Sequence, residues 1–432
     1  MATNGRGAIA RTPRPRDRRA QILLAASALF YQSGYPNVGT EEIAASVGVT
    51  AGALYRHFRS KEELLAQALS DSFDRAAVVA GREGVGLCQV VAELAAISAQ
   101  RRELGALWTR ESRYLSEALR TPMRKRFFNF LTQLVDVIAD DRPEVERRHA
   151  ELLAWCTLGV LTSPAYHGIT LVSEDAAAAL LARLALAVCR TPVPAVQLHT
   201  TAALAAQVPT GWVAGVPGHG RLPGTRRPAG RPASPGGSAV TGLPPGTRRE
   251  ALVAAAAQLF GQRGYQGVTT EEIGAAVGVS SAAVYRHFAT KADLLVTIVV
   301  RTASAMSLTM STSLHSASTP EAGLANAAGT YIDFAMSHPD LVSVLVAETN
   351  CLPEEQRQQV HTTTQTYIAE WLRLLRAVRP ELDRADALYR VHAVLTMVND
   401  VARTPHLREV PELEAVLHAA CLRMLADSAP AS

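Results

Sequence analysis

Tyr55-Arg56-His57-Phe58 and Tyr285-Arg286-His287-Phe288 are the same four side chains in the same order, and Lys61 and Lys291 follow at the same spacing. Arginine and histidine beside an aromatic hydroxyl can reach a phosphate oxygen or a base edge. Just before them stand Thr50-Ala51-Gly52-Ala53 and Ser280-Ser281-Ala282-Ala283. Small residues there let a backbone approach base edges closely, and the hydroxyls of Thr50, Ser280 and Ser281 are left for bases or phosphates. Bond-breaking chemistry has no comparable support: no HExxH, GxSxG, P-loop or strand-following GxGxxG occurs. The expectation is a binding protein with no catalytic residues, no metal site and no cofactor.

The elements that would position these side chains are legible around them. Thr40 to Leu65 reads TEEIAASVGVTAGALYRHFRSKEELL, and Thr270 to Leu295 reads TEEIGAAVGVSSAAVYRHFATKADLL, aligned without a gap. Thr40 and Thr270 are expected N-caps, followed by paired glutamates that suit the positive end of a helix. That helix stops at Gly48 or Gly278, and Thr50 or Ser280 caps the next. A third helix opens at Ser60-Lys-Glu-Glu63, a capping box, and at Thr290-Lys-Ala-Asp293, a weaker one. Helix, glycine-containing turn, helix is the helix-turn-helix pattern, whose second helix enters the DNA major groove. Ahead of it, Ile22, Ala26, Leu29 and Phe30 form one face of a helix ending at Gly34; Leu252, Ala256, Leu259 and Phe260 repeat it before Gly264.

The run TxEEIxxxVGVx…xYRHFxxKxxLL resembles the DNA-binding module of TetR-type (tetracycline-repressor-like) transcriptional regulators. The resemblance implies phosphate contacts by Tyr55/Tyr285, Thr40/Thr270 and Lys61/Lys291, with each lysine a compact charge at a helix N-terminus. It also implies a first helix that packs the recognition helix from behind, a helical ligand pocket, and two last helices pairing as a four-helix bundle.

The repeat extends beyond this module. Its offset is 230 residues from Tyr55 to Tyr285 and 237 from Leu104 to Leu341 onward, where Arg142-Pro143-Glu144 matches Arg379-Pro380-Glu381. Two complete units are therefore expected, with seven extra residues in the second somewhere between Leu295 and Leu341. The fold class is all-α. The expected division is a basic arm (1–16), a helix-turn-helix domain (17–65), a helical effector and dimerisation domain (66–190), a linker (191–246), a second helix-turn-helix domain (247–295) and a second helical domain (296–428). Helical runs over Val145 to Tyr166 and Leu382 to Arg403, with final helices at Ser173 to Val188 and from Pro411, fill the C-terminal portions.

Arg6, Arg11, Arg14, Arg16, Arg18 and Arg19 against the single acid Asp17 make the N-terminal arm either a solvated tail or a strand of charge along phosphates. The linker holds ten prolines, ten glycines, four arginines and no acid; Trp212 is its one large aromatic. At 56 residues such a coil spans roughly 40 Å. Of 43 basic residues only Lys61, Lys125 and Lys291 are lysines, and two of the three occupy the same place in the two copies. The five cysteines are scattered without metal spacing and read as buried, reduced thiols. Apolar runs fall short of a membrane span, so a cytoplasmic location and no membrane partner are expected.

Glu111 falls on the apolar stripe of Leu104, Leu107, Trp108 and Leu115, and Glu348 does the same among Leu341, Val344, Leu345 and Leu352. A carboxylate on a buried face needs a partner, either a structural one or an effector. The expected partners are double-stranded operator DNA and a small hydrophobic or amphipathic effector. The two units are expected to pair within the chain, with further self-association left open. The reading is a ligand-released repressor working as a single-chain pseudo-dimer on an imperfect palindrome; the alternative is a small-molecule-binding protein whose DNA binding has lapsed.

Overall fold

A computed structural model describes residues 15–193 and 247–427, and among these every regular element is a helix. The basic arm up to residue 14, residues 194–246 of the linker with Trp212, and the last five residues lie outside the described residues.

Unit one runs α1 (Pro15–Ser33), α2 (Thr40–Ser46), α3 (Ala51–Tyr55), α4 (Lys61–Ala80), α5 (Leu87–Gln100), α6 (Glu103–Ala106), α7 (Glu117–Asp141), α8 (Arg147–Thr162) and α9 (Glu174–Cys189). Unit two repeats this as α10 (Arg248–Arg263), α11 (Thr270–Val277), α12 (Ser281–Tyr285), α13 (Lys291–Leu314), α14 (Pro320–Ser337), α15 (Pro339–Glu348), α16 (Glu354–Val378), α17 (Arg384–Ala402) and α18 (Leu413–Ala426). The helices α4 and α13 run without a break from the helix-turn-helix module into the helical portion that follows. Where α15 is a regular helix, its counterpart α6 passes after one turn into a π-turn, Leu107–Glu111.

The seven extra residues of unit two lie at one hairpin. Helix α13 has 24 residues against 20 in α4, α14 has 18 against 14 in α5, and the connection between them is one residue shorter. Each antiparallel helix is thus extended by about one turn, a change that preserves which face of each helix meets its neighbours. Helix α13 is also the one described helix long and apolar enough to cross a membrane, with mean hydropathy 1.5. Here it is a core helix: Leu294, Leu295, Ile298, Val299, Thr302, Ala303, Met306 and Met310 are buried, and it packs on α10, α14, α15 and α16.

Each helix-turn-helix module has its own small core. Ile22, Ala26, Phe30, Ile43, Leu54, Phe58, Leu64 and Leu65 form the first; Leu252, Ala256, Phe260, Ile273, Val284, Phe288, Leu294 and Leu295 form the second. The remainder of the two units shares one continuous core. At its centre α8 lies along α17, and α9 packs on α18. The approach of α8 to α17 is close because Gly159 has no side chain: a Cβ built there would lie 2.6 Å from Cα of Met397. Polar contacts flank this crossing: Arg183 pairs with Asp427 at 3.2 Å, His406 contacts Glu151 at 3.0 Å, and Arg423 donates to the carbonyl of Ala187.

Two sequence expectations about these helices are corrected. Pro411 does not open the last helix; α18 starts at Leu413, behind Glu412, which takes a left-handed conformation at φ 56°. Arg18 and Arg19, counted with the basic arm, belong to α1: Arg18 donates to the carbonyl of Val47, and Arg19 lies 4.7 Å from the Phe58 ring centre. Arg248 and Arg249 repeat both contacts, to Val277 and Phe288. These four arginines tie the first helix to the motif behind the recognition helix.

Candidate nucleic-acid interface

The second motif helices, α3 and α12, are five residues long and are set by the turn before them. Gly48 and Gly278 take φ values of 67° and 73°, the left-handed region in which a side chain is strained. The chain then reverses into Thr50, whose hydroxyl accepts from the backbone of Ala53 at 3.2 Å. Ser280 sits at the same N-cap position with no side-chain cap bond. Inward from each helix, Leu54 and Phe58, or Val284 and Phe288, are buried. Outward, Thr50, Gly52, Tyr55 and Arg56 are exposed, as are Ser280, Ala282, Tyr285, Arg286 and His287; Ala51, Ser281 and His57 are half-buried. The small residues and the polar side chains singled out from the sequence therefore share the outer face of one short helix in each unit.

Thr40 and Thr270 are not the N-caps. The caps are Gly39, which has no side chain to offer, and Thr269, which forms a full capping box with Glu272. Being one residue inside the helix, Thr40 and Thr270 turn their hydroxyls to the tyrosines of the next helix, at 3.2 Å from Tyr55 and 3.1 Å from Tyr285. Each Thr–Tyr pair fixes the phenolic oxygen of a tyrosine that is about half exposed, 49% for Tyr55 and 50% for Tyr285. The capping boxes at the third helix are also the reverse of the expectation. Thr290 and Asp293 close a complete box, whereas Glu63 reaches past Ser60 to the backbone of Arg59 at 2.6 Å.

The lysines have inward work. Nζ of Lys61 donates to the carbonyls of Tyr35 (2.8 Å) and Val38 (2.9 Å) and lies 4.3 Å from the Tyr35 ring centre. Lys291 does the same with Tyr265 and Val268, both at 2.9 Å, and the Tyr265 ring. Partial burial holds both ammonium groups below the usual lysine range. Two of the three N–H bonds thus fasten the connection between α1 and α2 to the start of α4, and that between α10 and α11 to the start of α13. A compact ammonium fits between two carbonyls and a ring face where a planar guanidinium would not, which accounts for lysine at this place in a chain that otherwise uses arginine.

Glu111 and Glu348 are buried, 4% and 1% exposed, and each has protein partners. Glu111 accepts from the backbone of Tyr35 at 3.2 Å and lies 3.6 Å from Arg110; burial, only partly offset by the arginines, pushes its carboxyl above the ordinary value. Glu348 is held by Arg113 of the other unit, with Cys351 Sγ donating from 3.7 Å. Arg113 also lies against Gly264, at the end of α10. Sequence reasoning missed Arg113. The available signal was a departure from the repeat, since the matching position holds Asn350.

Among the described residues no cluster of histidine, cysteine and carboxylate side chains could hold a metal ion. The cysteines are free thiols; Cys156, Cys189 and Cys421 are buried and Cys88 is exposed.

Comparison with known proteins bears on the same segments. The family model for bacterial regulatory proteins of the tetR family matches residues 22–68 and again 252–298, and that for a tetracyclin repressor-like C-terminal domain matches 317–403. The transcriptional activator FasR of Mycolicibacterium smegmatis is 48% identical over 61 residues, 14% of this chain and 28% of that protein. The transcriptional repressor KstR2 of the same organism is 37% identical over 60 residues, 14% of this chain and 29% of that protein. The chain thus spans less than a third of the length of these curated relatives. A TetR-family regulator of Bordetella parapertussis 12822, known by crystal structure, is 19% identical, with 41% of this chain and 94% of that one covered at a TM-score of 0.39. Two segments matched by the tetR-family DNA-binding model in one chain, each leading into its own helical portion, support a tandem TetR-type regulator.

Proposed function

We propose that one chain is a pseudo-dimer that binds an imperfect palindromic operator and releases it when a small molecule binds, acting as a repressor and not as an enzyme. The observation that carries this reading is the packing of α8 and α9 of unit one on α17 and α18 of unit two. Paired helices that two separate subunits would contribute come here from one chain, and the tether holds them at high effective concentration. Two recognition helices on one face of DNA then need half-sites about one helical turn, roughly 34–36 Å, apart or a multiple of it.

On each half-site the Thr40–Tyr55 and Thr270–Tyr285 hydroxyl pairs contact phosphates, and the remaining N–H of Lys61 or Lys291 adds charge at a helix start. Arg56, Arg286, His57 and His287 reach phosphates or base edges beside them. Thr50-Ala51-Gly52 and Ser280-Ser281-Ala282 meet the bases, and their differences, an extra hydroxyl at Ser281 and methyls at Thr50 and Ala282, make the halves unequal. The operator is therefore similar in its phosphate frame and unequal at a few bases, with each mismatch costing about 1–3 kcal/mol. A soluble cytoplasmic protein fits this role. The test pairs the mass of the complex in solution with footprinting on a site selected from random DNA. One chain protecting both half-sites is the expected result; two chains, each using one module, would overturn the pseudo-dimer, and no selected site would favour the lapsed, ligand-binding alternative.

A further inference from the structure

A cavity of about 500 Å³ lies among α4, α5, α7 and α8 of unit one and reaches α10 and α15 of unit two. Its apolar wall is an aromatic group: Phe73, Trp108, Phe127 and Trp155 have ring centres 5.0–5.5 Å apart along the chain of contacts. Its polar part carries Arg101, Arg113, Arg120, Arg124 and Arg403 with Glu348 and Asp400; Arg101, Arg113, Arg120 and Arg403 are ion-paired with Glu103, Glu348, Glu117 and Asp400. Three buried polar atoms of its lining residues make no hydrogen bond, and all are donors: Nε of Arg113, Nε1 of Trp155, and Nε of Arg120, which has an ion pair with Glu117 at 3.5 Å. An unmet buried donor costs about 1–3 kcal/mol, so a lining in which all three are N–H groups is suited to an acceptor.

The matching region of unit two is built differently. At the repeat offsets, Ala76, Leu94 and Phe130 become Met306, Tyr331 and Tyr367, all buried, and the Tyr331 hydroxyl donates to Asn399 at 2.6 Å. Phe73, Trp108, Phe127 and Trp155 become Ala303, Leu345, Thr364 and His392, while Arg101, Arg113 and Arg124 become His338, Asn350 and His361. Unit two has lost the aromatic wall and most of the arginines, and buried Tyr331 and Tyr367 stand in the matching space; its separate cavity of about 450 Å³ along α13 and α16 has Arg373 beside Glu370 and no comparable set of arginines.

We propose that the chain carries one effector site, in unit one, which takes a single anionic amphipathic molecule per chain, its carboxylate or phosphate on Arg120 and Arg113 and its apolar body on the aromatic wall. This rests on the ligand-released regulator proposed above and adds the number of sites, the charge of the ligand and the half of the protein it addresses. The site is not private to unit one: Phe260 and Gln262 of α10 and Ser343 and Ala347 of α15 complete it. Arg113 already holds Glu348 and abuts Gly264. An anion that draws on Arg113 therefore competes with a bridge between the units, directly behind the second DNA-binding module. The Trp155 indole and the Arg120 guanidinium contribute without belonging to that bridge.

The test is titration of the full chain with dodecanoate and with uncharged dodecanol, followed by calorimetric stoichiometry and tryptophan fluorescence. The expected result is one dodecanoate per chain, a change in Trp108 and Trp155 emission, and weaker binding of the alcohol. Arg120→Gln should lower dodecanoate affinity roughly tenfold or more while leaving dodecanol unchanged, and Leu94→Tyr, the residue of unit two, should reduce both. Two equivalents per chain would overturn the single site, equal affinity for the alcohol would overturn the anionic class, and absence of binding by either would overturn the cavity as a site. Operator binding is measured separately without ligand: its failure alongside one bound dodecanoate would sink the regulator reading and leave this site standing.

Discussion

Replacing Gly159 by alanine sets two known effects against each other and so tests the crossing on which the joined units depend. In the interior of a helix the change should help, by about 0.8–1 kcal/mol, because alanine loses less backbone entropy. At this position the new methyl would stand 2.6 Å from Cα of Met397 and 3.3 Å from its amide nitrogen, where ordinary contact begins near 3.4 Å. Both atoms belong to backbone, which cannot rotate away as a side-chain end could. Helices α8 and α17 must therefore separate by nearly 1 Å, and a gap of that size forfeits a quarter to a half of each dispersion contact along the crossing. Overpacking of a tight core costs about 1–3 kcal/mol. The net expectation is a loss of about 1–2 kcal/mol in chemical denaturation, together with weaker operator binding because the two DNA-binding modules are carried apart. Gly329→Ala supplies the matched control: it is also inside a helix, but its nearest neighbours would be His418 ring atoms at 3.8 and 3.9 Å. That substitution should stabilise. A stabilising Gly159→Ala would refute the close crossing.

Three further outcomes follow from the interface and the buried carboxylates. Lys61→Ala with Lys291→Ala removes four hydrogen bonds to backbone carbonyls and should lower stability by about 1 kcal/mol per site; it should also lower the salt slope of DNA binding by about two, and an unchanged slope would take the lysines off the DNA while leaving them as clamps. Tyr55→Phe with Tyr285→Phe should leave the unfolding midpoint nearly unchanged, since both rings are half exposed, yet weaken operator binding by about 1 kcal/mol per site in gel shifts; unchanged affinity would remove the phenolic oxygens from the contact set. Because Glu111 is held above its ordinary value of 4.5, chiefly by burial, the folded state binds the proton more tightly than the unfolded chain does. Stability from this group is present below the ordinary value and falls as pH rises through the folded one, so Glu111→Gln should flatten that part of the stability–pH curve; an identical curve would show that the carboxyl does not titrate differently on folding.

The helix-turn-helix modules were legible because their apolar spacing, turn glycines and hydroxyls all agree. Ile22, Ala26 and Phe30, like Leu252, Ala256 and Phe260, are buried as their period requires. The cap positions were off by one because Thr269-Thr270 offers two hydroxyls in a row, and the first of them takes the cap and frees the second for Tyr285. In unit one the same frame is kept with Gly39 at the cap, so Thr40 is again free for its tyrosine. Burial of Glu111 and Glu348 was foreseen from the apolar stripe, but their partners were not. Tyr35 and Arg113 are remote in sequence from the carboxylates they meet, and no local periodicity carries that information.

What a repeat conceals is the contact that only one copy makes. In a pair of identical subunits every interface contact occurs twice, once on each side of the axis, and a substitution is felt at both places. Within one chain that constraint is lifted. Arg113 reaches Glu348, yet the mirror partner of Glu111 would be Asn350, which carries no charge, and Glu111 turns instead to Arg110 and the backbone of Tyr35. Gly159 opens the helix crossing from one side only; its counterpart is Thr396, buried at 5% exposure. In the proposed pseudo-dimer the tether would make such one-sided contacts sufficient, because joining the units in one chain replaces part of the association free energy that a free dimer must draw from its interface. The same freedom lets one interior keep its cavity and arginines while the other fills with Tyr331 and Tyr367. The positions where the two copies disagree are therefore the ones on which the proposed separate roles of the units rest.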